Sequence, residues 1–397
     1  MVPTPKSEIH EKGQYFTSNT LLKQCVNSFV LNNPERVLEP SVGRGDLIDS
    51  LCSISDSIHF DMYEIDTNIE MLPCVNLENL IYGDFLTQTI TRKYKTIIGN
   101  PPYVKTSTGN LYIDFIERCH SMLEDKGELI FIVPSDFLKL TSAAPLIRHM
   151  MESGTFTHVF RPNNENLFEN ASIDVIVFRY CLDPTLERTV LYNDESKRLV
   201  ETNGIITFVP IYAPISLDTL NNYFDIYVGM VTGCESVFKN ETFGTMNILN
   251  KKNTTDKYIM TNVFPTTNHD LDTYLLENKE KLIGRKIRKF NESNWFEWGA
   301  LRNYDNVKSR LGEDCIYIHT LTRDTEVAFI DKVSYFGGGL IALIPKIDAP
   351  RKLDLNKVVR FINSIQFREN YIYSNRFKIG HRQICNSTID LNQVSSI

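Results

Sequence analysis

No apolar run in this sequence approaches the ~18 residues needed to cross a bilayer, and the first residues, MVPTPKSEIHEKG, lack the apolar core of a secretory signal. A cytoplasmic protein without a membrane segment is therefore expected. Paired cysteines are missing too: Cys25, Cys52, Cys74, Cys119, Cys181, Cys234, Cys315 and Cys385 stand singly, with no CxxC among them. That spacing excludes a zinc ribbon and a disulfide framework, and fits a reducing compartment. The eight histidines are equally dispersed, so no metal site is expected. There is no internal repeat and no low-complexity tract. Positive charge is short overall, with a net charge of −7, but unevenly so. Residues 1–200 carry 18 Lys+Arg against 27 Asp+Glu, a balance of −9, while residues 201–397 carry 24 against 22, a balance of +2. A polyanion would meet the C-terminal half more readily, unless the step is an ordinary fluctuation.

At 397 residues the chain suits two domains of ~200 residues each. From about residue 35 to 180, short apolar runs alternate with helix-length stretches. Strands are predicted at Arg36–Leu38, His59–Glu64, Leu80–Tyr82, Thr96–Ile98, Glu128–Val133, His158–Phe160 and Asp174–Arg179. Leu111–Leu123 places Ile113, Phe115, Ile116, Cys119, Met122 and Leu123 near a 3.6-residue period and reads as a helix. Such alternation predicts βαβ units and a mainly parallel sheet that binds ligands at the carboxyl ends of its strands. Between about 181 and 215 the sequence turns polar (LDPTLERT, NDESKR, ETNG), which places a domain boundary there. A first domain over 1–200 and a second over 215–397 follow, the latter with helices near 270–283 and 355–366.

Three motifs carry chemistry. Asn100-Pro101-Pro102-Tyr103 directly follows a predicted strand. An aryl amine is a poor nucleophile because its lone pair is delocalised into the ring. The Asn100 side-chain oxygen and the Pro101 carbonyl can accept its N–H groups and localise that pair, while consecutive prolines stiffen the backbone that presents them. Tyr103 offers a face for a base or a cation. A proline-stiffened turn after a strand is the plainer alternative. The second motif, Glu39-Pro40-Ser41-Val42-Gly43-Arg44-Gly45-Asp46, has glycines for a tight turn and an acid able to meet an ammonium group. About 20 residues later a strand ends at Glu64, where a carboxylate accepts ribose hydroxyls in nucleoside-binding sheets; a surface acid is the alternative. The third is Asp84-Phe85, placed to take an adenine amino group and pack on its ring.

In this order and spacing the motifs resemble the gamma-class N6-adenine DNA methyltransferases of bacterial restriction–modification systems. The resemblance is specific over roughly residues 12–180. It implies an α/β fold: a Rossmann-like S-adenosylmethionine-dependent methyltransferase sheet with a C-terminal α+β target-recognition domain. Lys12-Gly13-Gln14-Tyr15-Phe16-Thr17 is similar to the family's N-terminal motif, in which the Thr17 position touches the methionine carboxylate of the cofactor. By the same resemblance Tyr15, Glu39, Pro40, Ser41, Gly43, Gly45, Glu64, Ile65, Asp84, Phe85 and Asn100 surround S-adenosyl-L-methionine. Asn100 to Tyr103 would be the catalytic tetrapeptide. Phe168, in Asn166-Leu167-Phe168, would stack on a flipped-out adenine with Asn100 and Tyr103; a core aromatic is the alternative. Beyond 180 the likeness is weaker. Val228–Gly233, Arg285–Phe290 and Arg376–Gly380 resemble recurring elements of recognition domains.

The implied activity is site-specific methylation of double-stranded DNA by a monomer, protecting a site that a cognate endonuclease also reads without needing to bind this protein. Arg285, Arg288, Lys289 and Arg302, flanking Trp295, Phe296 and Trp298, are the expected DNA contacts, with an apolar cluster edged by basic residues as the alternative. Members fused to a nuclease carry a large domain ahead of the first motif, so nuclease activity is not expected. Two rival readings share the tetrapeptide: methylation of a glutamine amide in a protein release factor, and recognition without catalysis.

Overall fold

The computed structural model describes residues 13–394 except 56, 108, 170 and 214–217. Lys12 of the N-terminal motif lies outside them. Two compact units emerge: residues 1–213 with 373–375, and residues 214–372 with 376–397.

The first unit is built on ten strands: β1 (Arg36–Glu39), β2 (His59–Glu64), β3 (Leu80–Tyr82), β4 (Tyr94–Gly99), β5 (Leu123–Pro134), β6 (Thr155–Phe160), β7 (Val175–Cys181), β8 (Thr189–Tyr192), β9 (Glu195–Thr202) and β10 (Ile205–Pro210). They form one sheet in the order β10-β9-β8-β6-β7-β5-β4-β1-β2-β3. Strands β3, β2, β1, β4 and β5 run parallel. The central strands read as unbroken apolar runs because both of their faces are covered. In β5, Leu129, Phe131 and Val133 point into one core cluster, and Ile130 and Ile132 into the other. Helices Leu111–Ser121 and Ala144–Ser153 cover the first face through Ile113, Phe115, Ile116, Ile147 and Met150. Thr20–Phe29 and Asp46–Cys52 cover the second through Leu22, Val26, Leu47 and Ile48.

The chain leaves β1 for β2 and β3 on one side and returns to β4 on the other. The carboxyl ends of β1 and β4 therefore flank a switch point, the place where open α/β sheets bind ligands. Glu39 ends β1 and Asn100 follows β4.

The sheet departs from the mainly parallel expectation at its far side. There β7 pairs antiparallel with both β5 and β6, β8 joins β6 in parallel, and β9 and β10 follow antiparallel. The polar stretch expected to separate domains thus extends the sheet to Pro210. Its turns hold the answer. Asn193 and Asp194 (φ 45° and 65°) and Asn203 and Gly204 (φ 50° and 75°) close tight hairpins, and Asn-Gly between strands is a hairpin signal. The polarity belongs to turns and a half-exposed hairpin, and the division between the units falls at the end of the stretch, at 213/214. Tyr373–Asn375 also belong to this unit, the Ser374 N–H donating to Asp174 Oδ2 at 3.0 Å.

The second unit holds a four-stranded antiparallel sheet of Phe224–Val228, Leu340–Pro345, Asp314–His319 and Ala328–Lys332. Helices Leu355–Asn363 and His381–Cys385 contribute Val358, Ile362 and Ile384 to the core on one of its faces. A separate cluster gathers Leu271, Leu275, Leu282, Trp295, Phe296 and Trp298. All eight cysteines are free thiols. Among the described residues no helix is long and apolar enough to cross a membrane, and no group of side chains is arranged to hold a metal ion.

Candidate active site

Two adjoining cavities open at the carboxyl ends of β1, β2 and β4. The larger, about 520 Å³, is lined by Tyr15, Pro40, Ser41, Gly43, Glu64, Ile65, Asp84, Phe85 and Asn100, all expected from sequence. The smaller, about 30 Å³, shares Tyr15, Ser41, Gly43 and Asn100 and adds Thr17 and Glu39. Gly45 lines neither. Its φ of 95°, at the start of helix Asp46–Cys52, lies where only glycine is unstrained, and a Cβ there would sit 2.2 Å from Val75.

Segment Gly13–Thr17 crosses the site and is tied down on both sides. Gly13 (φ 61°) accepts the Tyr103 N–H at 3.4 Å, and a Cβ there would sit 2.4 Å from Val104. Gln14 Nε2 donates to Asp66 Oδ2 at 3.1 Å, joining the segment to the loop after β2. Arg44 stands 4.9 Å over the Phe16 ring while pairing with Asp46 at 3.1 Å.

The carboxylates have distinct jobs. Glu64 is buried rather than a surface acid: Oε2 accepts Gly43 N–H at 2.8 Å, and Oε1 accepts Ile65 and Asp66 N–H, each at 2.9 Å. It thereby shapes both the glycine loop and the turn after β2. A carboxylate has about four acceptor positions, so one remains for a ligand hydroxyl. Glu39 is 1% exposed, accepts the Ser41 N–H at 3.3 Å on Oε1, and leaves Oε2 without a partner. Burial pushes its carboxyl well above the usual range, and the nearby Glu64 charge adds to that. A buried acid in this state suits a cationic ligand. Asp84 accepts the Leu86 N–H at 2.9 Å at the cavity edge. Phe85 stacks on Phe115 at 5.5 Å with 25° between the rings, forming an apolar wall backed by Arg118 at 5.0 Å from Phe85. Phe115 was not singled out from sequence as a site residue, although its place on the apolar face of a helix next to the sheet was legible.

Asn100 is held from three directions. Its Nδ2 donates to the Tyr15 carbonyl at 2.7 Å and to Thr17 Oγ1 at 3.1 Å. Its Oδ1 accepts the Tyr103 hydroxyl at 2.5 Å, and that hydroxyl also lies 3.1 Å from the Ile132 carbonyl. Burial raises the Tyr103 hydroxyl well above its ordinary value, so it remains a donor. The Tyr103 ring packs 5.4 Å from Tyr15, 6.0 Å from Tyr112 and 6.4 Å from Phe168. Phe168 is buried in the core on this face. It is brought within 6.4 Å of the Tyr103 ring.

The basic residues expected to meet DNA divide. Arg285 is corrected: it is buried, its Nε donating to Leu282 O at 2.7 Å, Nη1 to Thr232 O at 2.6 Å and Glu297 O at 2.8 Å, and Nη2 to Trp295 O at 2.6 Å. Its guanidinium lies 3.7 Å over the Phe290 ring and is engaged in holding loops together. Burial lowers its pKa to about 10, leaving it charged at neutral pH. Trp295 and Trp298 are core residues, with Trp298 Nε1 donating to Ile259 O at 2.7 Å. Arg288, Lys289 and Arg302 are exposed, and Arg288 pairs with Glu297 at 2.7 Å.

Residues 55–168 match the Eco57I restriction-modification methylase family. The type II methyltransferase M.HincII of Haemophilus influenzae is 28% identical over 215 residues, 49% of this chain and 42% of that protein. The type II methyltransferase M.CvrRI of Paramecium bursaria Chlorella virus XZ-6E is 26% identical over 187 residues, 44% of this chain and 49% of its own. The chain thus spans less than half the length of these relatives. The Type IIL restriction-modification enzyme MmeI, solved in complex with DNA, superposes with a TM-score of 0.55 at 9% identity, covering 96% of this chain and 64% of that one.

Proposed function

We propose, on the premise that residues 55–168 form a restriction-modification methylase domain, that this protein transfers a methyl group from S-adenosylmethionine to the N6 amino group of adenine in double-stranded DNA. The Asn100 amide carries this reading. Both of its N–H groups are engaged by Tyr15 and Thr17, so the side chain meets a substrate as an acceptor only. An acceptor is what a weakly nucleophilic amine requires. With the Pro101 carbonyl as the second acceptor, the amine nitrogen is drawn toward tetrahedral geometry and its lone pair localised. An amide oxygen has two lone pairs, so the Tyr103 hydroxyl and a target N–H can share Oδ1.

The residues fit the cofactor. The partnerless Glu39 Oε2 complements an ammonium group, the remaining acceptor position of Glu64 suits a ribose hydroxyl, and Asp84 with Phe85 and Phe115 suits a purine. A cavity of about 520 Å³ lies in the ordinary range for ligand sites. When bound, S-adenosylmethionine supplies an electrophilic methyl. This chain's residues hold it, exclude water, and align the amine.

An adenine N6 inside a duplex is out of reach, so the base must leave the stack. Tyr103 and Phe168 would then part to receive it, each aromatic contact offsetting roughly 1–3 kcal/mol of the unstacking cost. We assign sequence reading to the second unit, with Arg288, Lys289 and Arg302 as contacts. A single copy of the chain is sufficient for this chemistry, and an endonuclease for the same site need not bind it.

The deciding experiment incubates the protein with methyl-labelled S-adenosylmethionine and duplex DNA, then resolves the digested nucleosides by mass spectrometry. Label in N6-methyladenine is expected. Label in N4-methylcytosine, or only in an added glutamine-bearing protein substrate, would overturn the assignment.

A further inference from the structure

We propose that Thr17 is a positioning residue for Asn100, setting the angle at which the amide oxygen meets its substrate; this rests on the methyl-transfer reading above. A primary amide presents oxygen and nitrogen in nearly the same shape, and its neighbours alone decide which way it points. Two contacts hold the nitrogen, both from one short segment 83 and 85 residues away in sequence, and the Tyr103 hydroxyl holds the oxygen. The Tyr15 carbonyl, an obligate acceptor, selects the orientation: a flipped amide would set two oxygens against each other. With the Tyr15 and Tyr103 contacts alone, the second N–H of the amide would have no acceptor. The bond from Nδ2 to Thr17 Oγ1 at 3.1 Å supplies it and fixes the remaining degree of tilt.

Thr17 is itself fixed. It is 4% exposed, and its segment is tied to the rest of the site by Gly13 and Gln14. Its hydroxyl receives the Asn100 N–H on a lone pair, so the hydroxyl proton must point elsewhere. Among the described residues it has no acceptor. Thr17 also lines the void that Glu39 lines, where the Glu39 Oε2 is likewise without a partner. An anionic group entering that void would take the Thr17 proton and thereby lock the lone pair toward Asn100. Thr17 thus couples occupancy of the small void to the aim of the catalytic acceptor. Valine at 17 would keep the shape, remove the acceptor, and leave a buried N–H unsatisfied. The amide would turn to seek another partner, and displacements of about 1 Å at a reacting centre lower rates on the order of 100-fold.

The first test needs neither activity nor substitution at Thr17. In protein labelled at asparagine side-chain nitrogen, with the Asn100 signals assigned by their loss in Asn100→Ala, both amide protons should be protected from solvent exchange. A proton exchanging as fast as that of an exposed asparagine would overturn the proposal. Next, Thr17→Val should speed that exchange, and Thr17→Ser should restore it. With cofactor and DNA saturating, Thr17→Val should lower single-turnover methylation on the order of 10- to 100-fold, with serine recovering most of the loss. In an Asn100→Ala background the same change should have almost no further effect on rate. A Thr17→Val enzyme that weakens only cofactor affinity, and turns over normally once saturated, would make Thr17 a ligand contact and sink the idea. Wild-type protein that protects both protons yet methylates no DNA would count against the functional reading and leave the geometry standing.

Discussion

Asn100 and Arg285 both end in planar nitrogen groups lodged among backbone carbonyls, yet their surroundings differ in what is left over. Around Arg285 four hydrogen bonds run to carbonyls, a ring stacks on the guanidinium, and the residue is sealed from solvent. Around Asn100 the nitrogen is satisfied, but the site keeps remainders: a partnerless Glu39 oxygen, a Thr17 proton without an acceptor, and an amide oxygen with a second lone pair beside a cavity. Buried polar groups are ordinarily satisfied because leaving them unmade is expensive. Around Arg285 the groups balance internally, whereas around Asn100 the remainders gather at residues lining two cavities.

Breaking the balanced region should have the largest effect, and it should fall on stability. Arg285→Ala strands four carbonyls and should cost on the order of 3 kcal/mol or more, read as a fall in denaturation midpoint. Loss of DNA affinity at unchanged stability would instead make Arg285 a DNA contact. In the unbalanced region the same kind of truncation should spare the fold and strike the chemistry. Asn100→Ala is expected to lower single-turnover methylation on the order of 100-fold or more, while calorimetry finds cofactor binding within a few-fold of wild type. Wild-type turnover would remove Asn100 from the mechanism.

Glu39 sharpens the contrast, because it should trade stability for binding. Its carboxyl is raised by burial, so between its unfolded value of 4.5 and the folded one the native state holds a proton that the unfolded chain has released. Stability attributable to this group therefore falls as pH rises through that window. Glu39→Gln should melt higher than wild type at neutral pH without cofactor, with the difference vanishing as pH falls below 4.5. Its cofactor affinity should drop by about tenfold, the equivalent of one lost charge-assisted bond. Wild type should also release a proton on binding, which calorimetry in buffers of different ionisation heat detects; the same release from Glu39→Gln would assign it elsewhere. The smallest effect is expected at the exposed cations. Arg288→Ala and Lys289→Ala should leave stability within about 0.5 kcal/mol, and each should reduce the slope of log DNA affinity against log salt by about 1 if it meets a phosphate. An unchanged slope would move the DNA-facing surface off this segment.

Much of the first unit was legible in the sequence. Strands β2 and β3 fall at the predicted residues, and the helix from Leu111 begins where its periodicity does. Each rests on an apolar pattern set by burial on one or two faces. Strands β8, β9 and β10 lie within the polar stretch of 181–215, whose far end does hold the division between the units at 213/214; the polarity hides the strands, although Asn203-Gly204 marks a turn. In the second unit Arg285, beside Phe290 and within a run of cations, carried the same local signature as an exposed DNA contact. Its four carbonyl partners come from Leu282, Trp295, Glu297 and, far away, Thr232. Nothing in the order of residues announces such a convergence.

The sequence by itself determined the positions of β1 to β7, the glycine loop, the acids that end β1 and β2, and the tetrapeptide after β4. These are local matters: which faces are apolar, which turns need glycine or proline, which residue ends a strand. Only the tertiary structure decided what each polar group has left to offer. Whether Glu64 takes three N–H groups, Glu39 keeps an oxygen without a partner, Arg285 is consumed and Asn100 has its nitrogen engaged depends on carbonyls and N–H groups carried in from other segments. Hydrogen-bond satisfaction is a property of the packed chain, and so the difference between a scaffold residue and a site residue is settled there.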